Sequence, residues 1–437
     1  MPIDRHVDVL VVGGGPAGST AATQLAKQGY DVLLVDKQHH PRETVGESLL
    51  PSAWKYFDLL GVTDAVVAHG FIRKAGGIVA WGDQLSQIAF RDFEYTRPGL
   101  HVERDALDAL LLRHAAASGA RVEEGVRADA IMTSEGHNEA TLIRQGETGG
   151  ERVRARLLID ASGQASVMAR QLGTRQVNPE YRFIALWGYF ADSLYMASGG
   201  TVRPFADVRT HPPMTFVSRL GEWGWSWHIP LKEMTSVGLV IPIDDYKRDS
   251  GRFATLEAYF LSVCHQAAHL GQLLAGATLV NGGIRVMRDF SYVSDVVAGP
   301  GFMITGDAAG FVDPIFSIGV VMALYSGQLS AWTADRLLRQ PDRAEAIRAM
   351  FAHQMRGRYR LAHTMALPGV ESASSEAPGA YFDFFSDAEK QLMWSAASMT
   401  TRSANLSRIS EGQEPPAKPR RLDLAGIDFN QLALAGN

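Results

Sequence analysis

The sequence predicts an α/β fold in which a Rossmann-like domain is interleaved with an antiparallel β-sheet domain and followed by a helical C-terminal region. Residues 7–12 form an almost uninterrupted apolar run that ends in a glycine-rich turn, as expected for a buried parallel strand that leads into a helix. Further apolar runs end in small-residue turns after Ile159 and Thr305. Between these runs, apolar and polar residues alternate, which is typical of antiparallel strands.

The composition limits the classes of function. The chain has 437 residues, of which 46% are hydrophobic and 20% are charged, and its formal net charge is −5. This length can bury a sizeable core, whereas a weakly acidic chain lacks the basic surface that nucleic acid requires. The single cysteine, Cys264, excludes a disulfide within the chain. Since we find neither a secretory leader nor a membrane-spanning apolar run, we expect a cytoplasmic protein with no nucleic-acid or membrane partner.

The first glycine-rich turn has the G-x-G-x-x-G pattern of a site for an adenine dinucleotide. Gly13 permits the tight turn, Gly15 lets backbone N–H groups approach a pyrophosphate, and Gly18 lets helix and strand pack closely. The helix begins near Pro16 and directs its positive end at the phosphates. The next strand ends at Asp36, where a carboxylate can accept hydrogen bonds from a ribose. The alternative is an ordinary βαβ turn, and the order of strand, helix and acidic residue favours the dinucleotide.

Polar residues between the first strands and the sheet region suggest further contacts. Ser48 is expected to cap the helix that apolar spacing predicts after it. Arg104 begins another helix, where a cation opposes the helix dipole unless an anion is near, so we expect it to contact a cofactor phosphate or carbonyl. Judged by composition alone, Lys74 is a surface charge at the start of a strand. The adjacent His39 and His40 have no further ligands at useful spacing, so no metal site is predicted.

The two later turns also end strands. Residues 120–159 alternate like an antiparallel meander that ends at Asp160, and the middle of the chain carries aromatic-rich strands typical of a sheet with one apolar face. The third turn contains Asp307, which is placed to bond a ribityl hydroxyl, and it precedes a helix that extends to about Arg339. The N-terminal end of that helix can receive an anion. From residue 340 on, helical stripes alternate with Pro/Ser segments, and residues 413–421 are linker-like.

These three turns resemble those of the FAD-dependent monooxygenase superfamily related to para-hydroxybenzoate hydroxylase, and within it the sequence resembles flavin-dependent halogenases. The stretch from Trp225 to Pro230 fits the W-x-W-x-I-P pattern of that family. Lys74 matches the family's essential lysine in position and surroundings. The G-E-S sequence that ends at Ser48 and the block that starts at Asp307 also agree. The resemblance covers residues 7–335, and the C-terminal hundred residues show no usable motif.

The resemblance implies bound FAD in its reduced form, FADH2, supplied by a separate flavin reductase, together with O2 and chloride or bromide. Hypohalous acid then forms at a flavin C4a-hydroperoxide and passes by a tunnel to Lys74, which delivers the halogen to an electron-rich aromatic. Trp225 and Trp227 would separate the flavin from the substrate. Backbone N–H groups of Ile318 and Gly319 would bind the halide.

Carried over residue by residue, the resemblance implies the following sites. The catalytic positions are Lys74, Trp225, Trp227 and Ser317, and the halide-binding positions are Ile318 and Gly319. The FAD-binding positions are Gly13, Gly15, Pro16, Ala17, Gly18, Asp36, Lys37, Arg42, Glu47, Ser48, Arg104, Asp160, Gly163, Gly306, Asp307, Pro314 and Gly319.

The same resemblance implies a division of the chain. Residues 1–335 would form the catalytic body, with FAD-binding parts at about 1–75, 100–169 and 286–335 and the substrate sheet at about 76–99 and 170–285. Residues 336–437 would form a C-terminal helical region with a Pro-rich tail.

Two departures from the family pattern affect what the resemblance implies. The family often has S-S-G or S-T-G where this chain has Ser317-Ile318-Gly319, so the halide pocket loses a hydroxyl and the halide preference stays open. The chain also shows no C-terminal block that aligns with the one that encloses free tryptophan in tryptophan halogenases. We therefore expect a phenol or pyrrole, either free or tethered to an acyl or peptidyl carrier protein. The alternatives are an NAD(P)H-dependent FAD aromatic hydroxylase, a related reductase of isoprenoid double bonds, and a non-catalytic flavin-binding protein.

Overall fold

The computed structural model describes residues 5–82, 84–179, 181–267, 269–366, 386–400 and 420–421. The helices are α1 (Pro16–Lys27), α2 (Ala53–Leu60), α3 (Thr63–His69), α4 (Arg104–Ala117), α5 (Val167–Gln171), α6 (Ile243–Ser250), α7 (Leu256–Gln266), α8 (Leu270–Leu273), α9 (Gly319–Arg339), α10 (Ala344–Ala366) and α11 (Asp387–Ser398).

The strands of the first half are β1 (Arg5–Val12), β2 (Val32–Asp36), β3 (Ser48–Leu49), β4 (Ile72–Lys74), β5 (Gly76–Trp81), β6 (Gln84–Ala89), β7 (Gly99–His101), β8 (Arg121–Glu124), β9 (Val126–Met132), β10 (Asn138–Arg144), β11 (Glu151–Asp160) and β12 (Arg175–Val177). Those of the second half are β13 (Phe183–Ala191), β14 (Tyr195–Met196), β15 (Val202–Arg203), β16 (Met214–Leu220), β17 (Gly224–Pro230), β18 (Thr235–Pro242), β19 (Thr278–Arg288), β20 (Tyr292–Ser294), β21 (Ala298–Gly299), β22 (Phe302–Ile304), β23 (Gly310–Phe311) and β24 (Arg420–Arg421).

The first sheet has the order β21-β22-β11-β1-β2-β8. The pairs from β22 through β11, β1 and β2 to β8 are parallel, and the buried apolar side chains of β1 and β2 form its core with α1 and α9. Helix α1 packs tightly on the turn after β1, since a Cβ atom at Gly18 would lie 1.9 Å from the carbonyl oxygen of Gly13. The carboxyl ends of β1, β2, β11 and β22 therefore meet at one edge of the sheet.

The second sheet has the order β19-β13-β18-β17-β16-β5-β6-β24. Its faces differ in what covers them. On one face Ile78 and Phe216 pack with α7 and α8, and on the other Val217, Trp225 and Trp227 point towards the first sheet and α10. The α/β fold with an interleaved second sheet and C-terminal helices is confirmed, but this sheet is mixed, because β16 and β5 run parallel.

Two local expectations are wrong. The predicted antiparallel meander holds only for β9, β10 and β11, because β8 instead joins the first sheet parallel to β2. Ser48 does not cap a helix: it lies in β3, while α2 begins after Ser52, whose side chain makes no capping bond. The hydroxyl of Ser48 instead contacts the hydroxyl of Thr215 on the second sheet.

Cys264 is fully buried in α7. Of the linker-like segment at 413–421, only Arg420 and Arg421 are described, and they pair with β6 at the edge of the second sheet. Of the helices within the described ranges, none is both long and apolar enough to cross a membrane.

Candidate active site

A cavity of about 400 Å³, called the large cavity below, lies between the two sheets. One wall comes from the turns after β1, β2 and β11, and the opposite wall comes from the inner face of the second sheet. The N-terminal ends of α1 and α9 contribute to it. Strand ends and helix N-termini are where anionic ligands bind in parallel α/β folds. The large cavity is therefore where a phosphate-bearing cofactor is expected.

Gly13 and Gly15 of the first turn have different roles. Gly13 has a φ of +112°, and a Cβ atom there would lie 2.2 Å from the carbonyl oxygen of Ala161. Gly15 is the N-cap of α1 with a φ of −73°, and a Cβ atom there would meet the Arg42 guanidinium at 3.4 Å. Only glycine suits the backbone conformation and the close contact at position 13. At position 15, the absence of a side chain leaves space in the large cavity beside the free N–H groups of α1.

Asp36 closes the turn from the side of β2. Its Oδ2 accepts a hydrogen bond from the backbone N–H of Gly14 at 2.7 Å, and its Oδ1 accepts one from that of Gln38 at 2.8 Å. Asp36 also lines the large cavity. A carboxylate oxygen can accept more than one hydrogen bond, so Asp36 can still receive ribose hydroxyls.

Arg104 finds its anionic partner within the chain. Its Nε and Nη2 donate to the carboxylate of Asp108 at 3.0 and 3.1 Å, and its Nη1 donates to the Val45 carbonyl at 2.8 Å. The guanidinium still lines the large cavity, close to Asp307. Burial raises the pKa of Asp307 to about 6, while the charge of Arg104 opposes that rise. Asp307 can therefore both donate and accept near neutral pH.

Glu47 is a buried carboxyl in the same wall. Its Oε1 accepts a hydrogen bond from the Tyr189 hydroxyl at 3.0 Å, and its Oε2 accepts one from the N–H of Gly46 at 2.9 Å. Burial raises the pKa of Glu47. The side chain is 1% exposed, so it contributes a polar group that only a ligand in the large cavity would meet.

Most of the residues expected to bind the cofactor line the large cavity, namely Gly13, Gly15, Pro16, Ala17, Asp36, Lys37, Arg42, Glu47, Ser48, Arg104, Gly163, Asp307, Pro314 and Gly319. Gly18, Asp160 and Gly306 lie behind its wall. Asp160 accepts hydrogen bonds from the backbone N–H groups of Ser162 and Met168 at 2.9 and 2.7 Å and so shapes its own turn. We therefore expect these three residues to support the cofactor site without touching the cofactor.

The two tryptophans of the W-x-W motif lie side by side in the wall formed by the second sheet. Their ring centroids are 5.7 Å apart, and both rings line the large cavity. Trp227 Nε1 donates to Ser236 Oγ at 3.1 Å, and a Cβ atom at Gly238 would lie 2.1 Å from the Trp227 ring. Gly238 on the neighbouring strand is thus what makes room for this ring.

Lys74 lies in a second cavity of about 80 Å³, called the small cavity below. The side chain is only 3% exposed, which contradicts a surface charge. Its Nζ donates to Ser48 Oγ at 2.8 Å and lies 5.3 Å from the centroid of the Phe90 ring. Burial lowers the pKa of Lys74 to about 7. A large fraction of this amine is therefore neutral at neutral pH, which is unusual for lysine.

A thin wall separates the two cavities. Thr215, Val217, Ile315 and Ser317 line both of them, whereas the two tryptophans line only the large one. The side chains of this shared wall, rather than the tryptophans, are what stand between the large cavity and the Lys74 amine.

The N-terminal end of α9 adjoins both cavities. Ser317 precedes the helix with a φ of +57°, and its Oγ donates to Ser48 Oγ at 2.9 Å. Gly319 lines the large cavity and Ile318 lines the small one. Because the first N–H groups of a helix have no partner within the helix, this end can bind an anion at the boundary between the cavities.

Sequence reasoning missed two parts of the site. Leu392, Met393, Ala396 and Met399 of α11 and its end line the small cavity. Their spacing predicts an apolar helix face, but nothing in the spacing says what that face covers. The second omission is His101, which is fully buried beside Thr215.

The glycine turn, the free end of α1 and Asp36 fit an adenine dinucleotide, and the tryptophan wall leaves an apolar region for a ring system at the far end of the large cavity.

Within the ranges that the structure describes, no group of three or more His, Cys, Asp or Glu side chains could hold a metal ion.

Comparison with known proteins identifies a flavin-binding family. Residues 6–323 match the family model of an FAD binding domain. A tryptophan 2-halogenase of Chondromyces crocatus is 38% identical over 341 residues, which are 77% of this chain and 63% of that protein. The flavin-dependent halogenase armH3 of Armillaria mellea is 34% identical over 355 residues, which are 77% of this chain and 69% of that protein. The chain thus spans less than two thirds of the length of the Chondromyces relative.

Solved structures with the same fold include two halogenases. CmlS, a flavin-dependent halogenase, is similar with a TM-score of 0.74 and 27% identity over 90% of this chain and 72% of that one. The myxobacterial chondrochloren halogenase CndH is similar with a TM-score of 0.74 and 25% identity over 90% of this chain and 97% of that one. On its sequence and its fold, the chain belongs to the flavin-dependent halogenases, and an FAD-binding domain makes up most of its length.

Proposed function

We propose that this chain is an FADH2-dependent halogenase that makes hypohalous acid in the large cavity and passes it through the shared wall to Lys74, which halogenates an electron-rich aromatic. One observation carries the proposal: a buried lysine, with its pKa lowered to about 7, occupies a cavity of its own beside the cofactor cavity. When bound, reduced FAD supplies, with O2 and a halide, the oxidised halogen. A separate flavin reductase would provide the reduced flavin.

The chain's own residues would hold the cofactor in a fixed register. The N–H groups at the start of α1 receive the pyrophosphate, and Asp36 receives the adenosine ribose. Asp307 is placed for the ribityl chain, and the inner wall with Trp225 and Trp227 faces the ring system. These contacts are supported by the lining of the large cavity, and they would exclude water from its inner end.

The halide would bind at the start of α9. Backbone N–H groups of Ile318 and Gly319 offer donors and the positive end of the helix dipole. The Ser317 hydroxyl donates its hydrogen to Ser48, so that hydrogen is not available to a halide. The halide would then be bound by the backbone N–H groups alone. Ile318 replaces a residue that often carries a hydroxyl in the family, and a halide bound by backbone N–H groups does not need that hydroxyl.

Lys74 would act as the carrier or the hydrogen-bond partner of the halogen. In the covalent route, the neutral amine attacks the halogen of hypohalous acid, so an N–halogen bond forms and the oxygen–halogen bond breaks. The hydroxide that is released takes one amine proton and leaves as water. The aromatic carbon then takes the halogen, and the proton that the ring loses returns to the nitrogen. In the hydrogen-bonded route, the ammonium form holds hypohalous acid beside the ring. An arginine could follow only the second route, because its guanidinium keeps its protons.

The proposed substrate is a phenol or pyrrole, either free or on a carrier protein. The small cavity has a volume of about 80 Å³ and is lined mostly by apolar side chains. A single activated ring fits this space better than a larger ring system. An indole is the second candidate, because the Chondromyces relative is a tryptophan 2-halogenase.

The test is turnover by the FAD-loaded protein with a flavin reductase, NADH, air and either chloride or bromide, with products measured by mass spectrometry. Free phenols, pyrroles, carrier-bound pyrroles and tryptophan are offered in parallel. A halogenated phenol or pyrrole is the expected product, and halogenated tryptophan alone would replace the substrate class. Products that gain oxygen without halogen would show a hydroxylase, and flavin binding without any turnover would show a non-catalytic protein.

A further inference from the structure

We propose that His101, acting through Thr215 and Ser48, fixes the direction of the hydrogen bonds at Lys74 so that the lone pair of the amine faces the small cavity. The inference rests on the proposed function of Lys74. His101 and Thr215 would then be positioning residues for halogen transfer, although neither belongs to the motifs by which the site was found.

The direction is set at the carbonyl group of Pro230, the last residue of the W-x-W-x-I-P motif. His101 is fully buried, and its Nδ1 lies 3.0 Å from the Pro230 oxygen. Because a carbonyl only accepts, Nδ1 must carry the hydrogen. Burial and the nearby charge of Lys74 hold the pKa of His101 well below its ordinary value, so the ring is neutral. Its Nε2 therefore has a free lone pair.

Each further hydroxyl has a single proton, and so its direction follows. Thr215 Oγ1 lies 2.8 Å from His101 Nε2 and must donate to it. Thr215 Oγ1 then has lone pairs free to accept from Ser48, whose Oγ lies 3.2 Å away, and in the proposed arrangement the one proton of Ser48 is donated there. Ser48 accepts from Lys74 Nζ at 2.8 Å and from Ser317 Oγ at 2.9 Å, and it has no proton left for the amine.

The direction of these bonds decides what the reactive form of Lys74 can do. The neutral amine bonds to Ser48 through an N–H, so its lone pair is not covered by Ser48. Among the described residues Lys74 has no carboxylate partner in an ion pair. To reverse these hydrogen bonds, Nε2 would have to take the hydrogen, and the Nδ1 lone pair would then face the Pro230 oxygen in a buried site, which is unfavourable because neither atom can donate.

The small sheet of β3, β7 and β4 holds these groups in register. Ser48 on β3 lies opposite His101 on β7, and Lys74 on β4 lies opposite Gly99. A Cβ atom at Gly99 would lie 3.3 Å from Lys74 Cδ, so the glycine leaves space for the lysine side chain to cross β7. Thr215 is supplied by β16 of the second sheet.

The first test removes the Thr215 hydroxyl at nearly constant volume. In Thr215→Val, Ser48 loses its acceptor and can turn its proton towards the amine. We expect the halogenated product per flavin oxidised, a ratio that corrects for any change in flavin oxidation, to fall by about tenfold or more, as for loss of one buried hydrogen bond. Hypohalous acid caught by a soluble trap should rise accordingly. Thr215→Ser keeps the hydroxyl and should restore the product yield.

The second test needs no flavin chemistry. Cyanate carbamylates neutral amines, so peptide mass spectrometry of the cyanate-treated, FAD-loaded protein measures the free lone pair of Lys74. We expect Thr215→Val and His101→Leu to slow carbamylation of Lys74 by about fivefold or more, because a hydrogen bond from Ser48 would then occupy the lone pair, while Thr215→Ser does not. Lys247, which lies on the surface, is the internal control and should be unchanged.

The outcomes separate the two proposals. If wild-type protein makes no halogenated product, the proposed function fails, whatever the carbamylation shows. If wild-type protein halogenates but Thr215→Val keeps the wild-type product yield and the wild-type carbamylation of Lys74, His101 does not set the direction and the inference is overturned. The inference also fails if Thr215→Ser behaves like Thr215→Val, because packing and not the hydroxyl would then be responsible.

Discussion

Lys74 Nζ donates a hydrogen bond of 2.8 Å to Ser48 Oγ, although the two side chains face different cavities. Ser48 lines the large cavity, where the cofactor is expected, and Lys74 lines the small one. This hydrogen bond links a residue that lines the large cavity directly to one that lines the small cavity. Under the proposed function, a reactive halogen species would be made on one side and used on the other, so the substrate would not need to reach the flavin.

Halogen transfer should depend on pH through Lys74. Burial lowers the pKa of Lys74 to about 7, and the titratable group that faces it, His101, stays neutral. The neutral fraction of the amine rises with pH, so we expect product per flavin oxidised to rise with a midpoint near about pH 7 and to level off about one pH unit above it. Asp307, whose pKa is raised to about 6, would act instead on flavin oxidation, which is measured in parallel. A product yield that is flat from about pH 5.5 to 8.5 would exclude the covalent route.

The burial of Lys74 should destabilise the folded protein. Its folded pKa of about 7 lies below the ordinary value of 10.5, so the unfolded chain binds a proton that the folded chain lacks between these values. The free energy of unfolding therefore rises with pH across that window, and the full penalty applies below it. We expect Lys74→Met to raise the free energy of unfolding at pH 7 by about 2–4 kcal/mol, and the gain to shrink near about pH 10. Urea unfolding of the FAD-loaded protein at both pH values checks this, and a Lys74→Met protein that is less stable at pH 7 would contradict it.

Gly15 should be needed for the cofactor and not for the fold. Its φ of −73° suits any residue, and it lines the large cavity at the start of α1. In Gly15→Val the added side chain would occupy the space of the pyrophosphate, and we expect FAD affinity to fall by about 100-fold, or about 2.7 kcal/mol. Fluorescence titration with FAD measures this, and circular dichroism should remain unchanged. Gly149→Ala, where a Cβ atom meets nothing within 4 Å, is the control, and equal FAD affinity in both variants would count against the site.

The small cavity should be the substrate site. Ala396 of α11 lines it, so Ala396→Phe would fill part of its about 80 Å³. We expect KM for the aromatic to rise by about tenfold or more, with unchanged reduced-flavin oxidation and more hypohalous acid escaping to the trap. Ser398→Phe places the same ring on the exposed side of α11 and should have no effect. If KM is unchanged in Ala396→Phe, the substrate binds elsewhere.

How much of this site could be predicted depended on the distance along the chain between the residues concerned. Gly13, Gly15 and Asp36 follow from local rules, because strand, turn and helix are consecutive and the phosphate chemistry fixes their spacing. Lys74 was found only by resemblance, since its burial depends on Phe90 and on α11, which lies some three hundred residues later in the chain.

The hydrogen-bond chain at Lys74 was beyond sequence reasoning for a related reason. Ser48 was predicted to cap a helix because a serine before an apolar helix usually does so. The pairing of β3 with β7 instead places it opposite His101, and Thr215 arrives from another sheet. No pattern within any of these segments encodes their meeting.

The most direct measurement counts halogenated product per FADH2 oxidised for wild-type protein, Lys74→Ala and Lys74→Arg, with a soluble hypohalous-acid trap present. We expect both variants to bind FAD and oxidise FADH2 within about twofold of wild type. Lys74→Ala should lose product by about 100-fold or more and release the hypohalous acid to the trap under either route, and Lys74→Arg should do the same under the covalent route, because a guanidinium keeps its protons. Halogenated product from Lys74→Ala at near wild-type yield would contradict the account, since the halogen would then reach the substrate without the lysine.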